Sequence, residues 1–425
     1  MSLAQLPPRA ANVPIAVAGP AVAVEPVDLV AADGAPSSGL LYAPRAGRPR
    51  VGIHLMHPRT DQTRNYNVLP LVSAGCMVLA RNGRSVNNDA DTLHEDLLLD
   101  VAAGVGFLRT RGCETVVLLG NSGGGALAAL YQSQAEAAPG ARIKKETTVS
   151  GVDLARASLP SADALIIVGG HMGQGKTLAK LIDGAVVDEA DPLSVDPAAD
   201  IYDPRNGFRL PVSETRYLPE FVAAVRAAQL RRVERIDRLA RSAIAAASDA
   251  RSVASWLPDG GDALRARLWV DRRAAARSYL TIYRTIADPV ILDPTIEPDD
   301  RVPGGFDGYQ RPDLQNYRQV GFAHLVSPRA WLSTWSALSS HADLVRSIAG
   351  VTVPSLVVHY RGDLFTRLSE VETLRHAAGT ADFSLVIVGQ ADHYGRRINP
   401  DGSMGARTGE GTDAAVSWLG KRFAL

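Results

Sequence analysis

A serine, an aspartate and a histidine, far apart in a chain of 425 residues, each stand where a strand-like run gives way to a turn. Ser122 lies in Gly120-Asn121-Ser122-Gly123-Gly124, after the β-branched and aliphatic run Thr115 to Leu119 and before the alanine-rich stretch Ala126 to Ala138. Asp363 follows Val357-Val358-His359-Tyr360-Arg361-Gly362, and His393 follows Val386-Ile387-Val388-Gly389-Gln390-Ala391-Asp392. A serine hydroxyl is a poor nucleophile until a base takes its proton, and the base needs a third group to orient it. Hydroxyl, carboxylate and imidazole in this order supply that set for attack on an acyl carbon. The glycines have a reason of their own. G-x-S-x-G between a strand and a helix is a sharp turn that lifts the hydroxyl clear of a sheet, where bulky neighbours would clash. The same turn leaves unpaired helix N-terminal N–H groups beside the serine.

Those three residues need a sheet that ends at one rim, and the chain supplies one. Val27 to Ala31 and Gly39 to Tyr42 read as strands joined by turn chemistry at Ala32-Asp33-Gly34, which predicts an opening hairpin. Val51 to Met56 is a short buried strand, and Cys76 to Ala80 is the next, with a helical turn over Asn67 to Ala74 between them. Leu93, Leu97, Val101, Val105 and Leu108 recur at helical spacing, which predicts a helix over Asp91 to Arg111, stopped by Gly112. Thr147 to Val152 and Ala164 to Val168 are further apolar stretches, the second a strand. Strands alternating with helices predict an α/β fold, a mostly parallel sheet with helices on both faces. In open sheets of this kind the sites gather at the C-terminal strand ends.

After Gly169-Gly170 the pattern breaks. Residues 171 to 207 are rich in Asp, Pro and Gly. Ser213 to Trp256 reads as helix, with Leu218, Phe221, Val222, Val225, Val233, Ile236 and Leu239 as its apolar stripe. A shorter helix covers Ala263 to Tyr283, residues 288 to 313 are loop-like, and Ser327 to Ser347 returns to helix. Pro354 to Tyr360 and Phe383 to Val388 then resume the sheet, and Ala414 to Phe423 closes the chain as a helix. A gap of about 175 residues between strands exceeds any ordinary connection. The expected organisation is an arm over 1–24, a core built from 25–170 and 346–425, and an inserted, mainly helical cap over 171–345.

Taken together these features resemble the α/β-hydrolases. The matching residues are the opening hairpin, His57-Pro58 after the third strand, Arg81-Asn82-Gly83-Arg84-Ser85, the serine elbow, Gly362-Asp363 and Asp392-His393. They cover 27–170 and 350–425, while the insertion over 171–345 is assigned to no particular cap. The resemblance implies Ser122 as nucleophile, His393 as base, Asp363 as its orienting acid and no cofactor or metal. It also implies an oxyanion hole from the backbone N–H of Gly123 and a second N–H after His57. Many relatives carry His-Gly there. Pro58 has no N–H to give, so the expectation falls on Arg59, with Thr60 as the alternative. His57, Asn121, His171 and Tyr394 are expected to line the pocket. The expected reaction is hydrolysis of a carboxylic ester of a small or medium, partly apolar molecule, with carbon–carbon cleavage of a diketone by the same triad as the alternative. A large cap implies an enclosed, largely apolar pocket, with Tyr202, Phe208, Trp256, Trp269, Tyr309, Trp331 and Trp335 as candidate walls.

Rival readings stand beside these. Gly170-His171-Met172-Gly173-Gln174-Gly175-Lys176-Thr177 satisfies the phosphate-cradling pattern G-x-x-x-x-G-K-[ST]. No apolar strand ending in Asp follows it to hold magnesium, and too few strands remain for such a sheet, so a chance match is expected. Asp392 competes with Asp363 as the acid, but neighbouring side chains rarely bond productively. His54 alternates inward and reads as core, and His359 stands near a strand end. The acidic runs Asp188 to Asp203 and Asp293 to Asp300 lack calcium-loop spacing and read as solvated loops. Arg231, Arg232, Arg235, Arg238 and Arg241 read as a solvated helix face.

Composition narrows the class further. Lys+Arg and Asp+Glu are 45 each, so no net charge draws the chain to nucleic acid or anionic lipid. Cys76 and Cys113 are the only cysteines, so no disulfide framework is expected. No apolar run is long enough to span a bilayer. Pro14 and Pro20 interrupt the apolar stretch Pro14 to Val24, which reads as an arm rather than a signal peptide. The expectation is a cytoplasmic protein whose partner is a small-molecule substrate, with neither nucleic acid nor membrane.

Overall fold

The computed structural model describes residues 19–257, 261–276, 278–306, 309–318 and 321–425. The arm expected over 1–24 falls mostly outside them. Its last residues are strand, because β1 (Val22–Val30) starts earlier than expected and pairs antiparallel with β2 (Pro36–Pro44) from Val22 onward. Along the chain follow β3 (Val51–Leu55), α1 (Val68–Ser73), β4 (Met77–Arg81), α2 (His94–Thr110), β5 (Thr115–Asn121), α3 (Gly124–Glu136) and β6 (Ala164–Val168). After a long excursion come β9 (Ser355–Tyr360), α11 (Leu368–Ala377), β10 (Phe383–Val388), the short pair β11 (Arg396–Ile398) and β12 (Met404–Arg407), and α12 (Glu410–Gly420).

Eight strands form one sheet in the order β1-β2-β4-β3-β5-β6-β9-β10. The first two pairings are antiparallel and all the rest are parallel. Parallel strands need crossovers, and these put helices on both faces. The two-residue period of each strand then divides its side chains. Val116 and Leu118 of β5, with Leu165 and Ile167 of β6, join the apolar layer under α2 and α3. Val117 and Leu119, with Ile166 and Val168, join the opposite layer under α1 and α12. Both faces are apolar, so β5 and β6 are continuous hydrophobic runs and are central. Each fully buried Leu or Ile contributes about 1.5–3 kcal/mol to this clamp. Cys76 and Cys113 are buried and unbridged. Thr147 to Val152 forms no strand. A turn at Lys145–Thr147 and hydroxyl-to-backbone bonds from Thr148 and Ser150 take its N–H groups instead.

Between β6 and β9 the chain builds α4 (Gln174–Leu181), α5 (Pro219–Ala254), α6 (Leu264–Ala275), β7 (Leu280–Thr281), α7 (Pro289–Leu292), α8 (Pro312–Asn316), β8 (Leu325–Val326), α9 (Pro328–Ala330) and α10 (Leu344–Ile348). This insertion has apolar clusters of its own, one of which packs Val233 and Ile236 of α5 against Trp331, Leu332 and Trp335. Its two ends return to the main core through Met172, Ala342, Leu344 and Ile348. Several expectations fail here. Leu218 and Leu239 leave the predicted stripe and are exposed. Arg232, expected on a solvated face, is fully buried, clamped by Glu189 and by the carbonyls of Asp183 and Tyr283. Glu189 belongs to the acidic run read as a solvated loop, and it holds Arg235 as well. The helix expected over Ser327 to Ser347 is broken. A wide turn over Trp331–Trp335 follows α9, and the hydroxyls of Ser336 and Ser340 then capture the N–H groups of Leu338, Ser339 and Ala342.

Candidate active site

The elbow is as tight as its sequence demands. Ser122 has φ +54, the left-handed region that side chains other than glycine avoid, at a cost of about 1–3 kcal/mol. Its N–H donates to the Val168 carbonyl at 3.1 Å, and its own carbonyl accepts from the Gly125 N–H at 3.0 Å. A Cβ on Gly120 would lie 2.4 Å from the Gly124 carbonyl oxygen, and one on Gly124 would lie 2.5 Å from that of Met56. The glycines therefore let the helix start press onto both its own strand and the end of β3.

The other two residues arrive from the turns after β9 and β10. Gly362 donates its N–H to the Ala391 carbonyl at 2.8 Å, which draws the two turns together. His393 Nε2 lies 2.9 Å from Ser122 Oγ, and its Nδ1 lies 2.7 Å from Asp363 Oδ2. The second carboxylate oxygen of Asp363 accepts the Phe365 N–H at 2.7 Å. Asp363 is fully buried and His393 nearly so. Burial works against the imidazolium, but the charge of Asp363 and its hydrogen bond outweigh burial and raise the His393 pKa above the ordinary value. Burial likewise works against the carboxylate, and the paired imidazole turns the balance, so Asp363 titrates below the usual range. Asp392, the rival acid, is engaged elsewhere. Its oxygens accept from the N–H groups of Tyr394 and Arg396 and from the Arg396 side chain, which fixes the loop that carries His393.

The expected pocket residues divide. His57 and His171 stand over the elbow. Each Nε2 comes within 3.0 Å of the position a Cβ on Gly123 would take, and the Gln174 Nε2 comes within 2.2 Å. Asn121 turns away, tied to Asn65, Tyr66 and the Val168 carbonyl. Tyr394 is partly exposed, its ring 5.1 Å from that of His393. Arg59 requires a correction. Its N–H, expected to serve an oxyanion, donates to His57 Nδ1 at 3.0 Å, and the Thr60 N–H does the same at 3.0 Å. The Arg59 side chain pairs with Asp89 and lies over Phe322 and Trp335. His54 is buried core, with its Nε2 against Gly104, and His359 is buried beside Asp363.

The walls differ from those expected. Trp256 and Trp269 are 85% and 61% exposed, and Trp331 and Trp335 are insertion core. The rings beside the histidine are Phe365, 4.7 Å from His393, and then Phe306 and Phe322 at 5.3 and 5.8 Å from Phe365. Phe365 stands two residues past the acid, which could have marked it. Nothing local marks Phe306, Phe322 or Gln174.

The phosphate-loop pattern fails on packing. A Cβ on Gly173 would lie 1.9 Å from the Ala342 carbonyl oxygen and one on Gly175 2.5 Å from that of Ser336, so these glycines serve close backbone contact. Lys176 pairs with Asp343 at 3.3 Å. Among the described residues no group of three or more His, Cys, Asp or Glu could hold a metal ion, and no helix is long and apolar enough to cross a membrane.

The parallel sheet with its antiparallel opening hairpin, the elbow after β5 and the acid and histidine after β9 and β10 make this an α/β-hydrolase fold. No family profile and no curated protein matches the chain. Among solved structures it is similar to the esterase domain of a Rhodothermus marinus protein, at 11% identity and TM-score 0.41 over 94% of this chain and 99% of that one. It is similar also to a hypothetical protein of Pseudomonas aeruginosa, at 13% and 0.48 over 95% of each. A third is an alpha/beta hydrolase of a Penicillium species, at 12% and 0.43 over 87% of this chain and 91% of that one. At scores this low the likenesses carry no argument about function, and the fold rests on the strand order and the elbow.

Proposed function

We propose that this protein is a serine hydrolase that cleaves a carboxylic ester of a small or medium, partly apolar molecule. The observation that carries the reading is the hydrogen-bonded line from Ser122 Oγ through His393 to the buried Asp363. Ser122 attacks the acyl carbon while its proton passes to His393 Nε2, and the carbonyl electron pair moves onto oxygen. The tetrahedral species collapses, the alkoxide leaves with the proton from His393, and an acyl-serine remains. Water, deprotonated by the same imidazole, then releases the carboxylic acid and restores Ser122. The Gly123 N–H opens α3 beside Ser122 with no partner among the described residues, which suits it to the developing oxyanion. The rings of Phe365, Phe322 and Phe306 offer an apolar substituent a surface next to His393. The insertion acts as a cap over this site.

The test is hydrolysis of p-nitrophenyl esters from acetate to octanoate, with fluorophosphonate labelling mapped by mass spectrometry. Ser122→Ala is expected to abolish turnover and label, and Lys176→Ala to keep both. Turnover that survives Ser122→Ala ends the proposal. Cleavage of a diketone with no ester hydrolysis moves it to carbon–carbon bonds.

A further inference from the structure

The loop after β3 would ordinarily lend a backbone N–H to the oxyanion, and here Pro58, Arg59 and Thr60 lend none. Pro58 has no N–H. The Arg59 and Thr60 N–H groups both point at His57 Nδ1, each at 3.0 Å. Two donors on one ring nitrogen settle the tautomer. Nδ1 must be the acceptor, so the His57 proton sits on Nε2. That nitrogen lies within 3.0 Å of where a Cβ on Gly123 would stand, beside the residue that gives the first oxyanion N–H. A Cβ on Gly124 would lie 2.5 Å from the Met56 carbonyl oxygen and 3.7 Å from the His57 Cα, so loop and elbow are in close contact.

We infer that the Nε2–H of His57 is the second oxyanion donor, a side chain doing what a loop N–H would otherwise do. The inference rests on the serine-hydrolase reading above. Its chemistry is consistent. His57 is buried, and burial first, then the neighbouring Arg59 and the other histidines, drive its pKa far below the ordinary value. It is therefore a neutral donor throughout the working range. A neutral donor can stabilise an oxyanion without repelling the imidazolium that forms on His393 in the same step. Pre-aimed donors of this kind work without reorganisation in a site closed to water. The cap completes the surroundings. His171 accepts the Gly173 N–H on Nδ1 at 3.2 Å, so its Nε2–H also faces Gly123, and its pKa is pushed down to about 3 by burial and by His393. Gln174 is 3% exposed, its amide nitrogen faces Gly123, and its side chain also reaches His94.

Two substitutions separate the two jobs of the His57 ring. His57→Asn keeps an acceptor near the Nδ1 position for the loop N–H groups but removes the Nε2 donor. His57→Gln places an amide N–H near Nε2 and gives up the loop acceptor. The expected result for His57→Asn is kcat down by about 10²–10³, with KM within a few-fold and an unmoved acidic limb in the pH profile. Affinity for a trifluoromethyl ketone, which forms a tetrahedral adduct on Ser122, falls by a similar factor. His57→Gln retains at least ten-fold more kcat than His57→Asn. Near-parental kcat in His57→Asn overturns the assignment, as does a larger loss in His57→Gln, which would mean that the ring only supports the loop. Ser122→Ala inactive beside an unaffected His57→Asn would leave the serine mechanism standing and remove only this donor.

Discussion

Replacing Asp363 with asparagine tests the site at its most buried point. The side chain meets two different demands. Oδ1 accepts the Phe365 N–H at 2.7 Å, and Oδ2 accepts the proton on His393 Nδ1 at 2.7 Å. An asparagine fills the space but can satisfy only one. If its oxygen stays on Phe365, its NH₂ faces Nδ1, which must then accept. The imidazole proton moves to Nε2, pointing at Ser122, and the base is lost. If the amide flips, its NH₂ faces the Phe365 N–H, and a buried donor is stranded at a cost of about 1–3 kcal/mol. The first orientation is therefore favoured, and it is the inactive one. The loss expected for a wrong tautomer in a Ser-His-Asp site is about 10⁴ in kcat, or about 5.5 kcal/mol of transition-state stabilisation. The pH profile carries a second reading. Only neutral His393 can take the serine proton, so activity rises with pH through its pKa. Asp363 holds that pKa up, which puts the acidic limb of the parent above the ordinary imidazole value of about 6.5. Asp363→Asn removes the charge and leaves burial alone, so the limb of the residual activity moves to lower pH. The assay is p-nitrophenyl butyrate hydrolysis from pH 5 to 9, with folded protein verified by circular dichroism. Activity within ten-fold of the parent and an unmoved limb would refute the reasoning.

The elbow and the insertion carry the other predictions. Gly120→Ala places a methyl 2.4 Å from the Gly124 carbonyl oxygen and 2.5 Å from the Gly125 Cα, backbone atoms that cannot yield singly. It should destabilise by about 1–3 kcal/mol and, by displacing Ser122, lose at least about 100-fold in kcat/KM. Gly106→Ala meets nothing within 4 Å in the middle of α2 and should stabilise by about 0.5–1 kcal/mol with unchanged activity. Thermal melting and ester turnover measure both. Glu189→Gln leaves the fully buried Arg232 guanidinium its carbonyl partners but removes the carboxylate that pairs with it, leaving only the weaker pull of Asp183, itself paired with Arg284. It should lower the urea midpoint by the equivalent of about 3 kcal/mol, and an unchanged midpoint would show that Glu189 does not hold the insertion.

The sequence by itself determined whatever obeys a local rule. The elbow was readable because only glycine tolerates a backbone passing within 2.5 Å of where a Cβ would stand, and strand-glycine-serine-glycine-helix has few other uses. The placement of Asp363 and His393 just past strand ends was readable because strand runs name their own C-terminal ends, and β9 and β10 end where the apolar runs end, at Tyr360 and Val388. Tertiary structure decided what depends on distant partners. Arg232 has the spacing of a solvated face, and it is buried because Glu189, 43 residues away, meets it. The long helix expected near the end of the insertion is cut where serine hydroxyls take its backbone. Phe306 and Phe322 reach the histidine only because the insertion folds back over the sheet. The sequence showed that Pro58 withholds a donor. That the Arg59 N–H turns inward to a ring, leaving that ring to face Gly123, is set by a loop conformation that no residue spacing encodes.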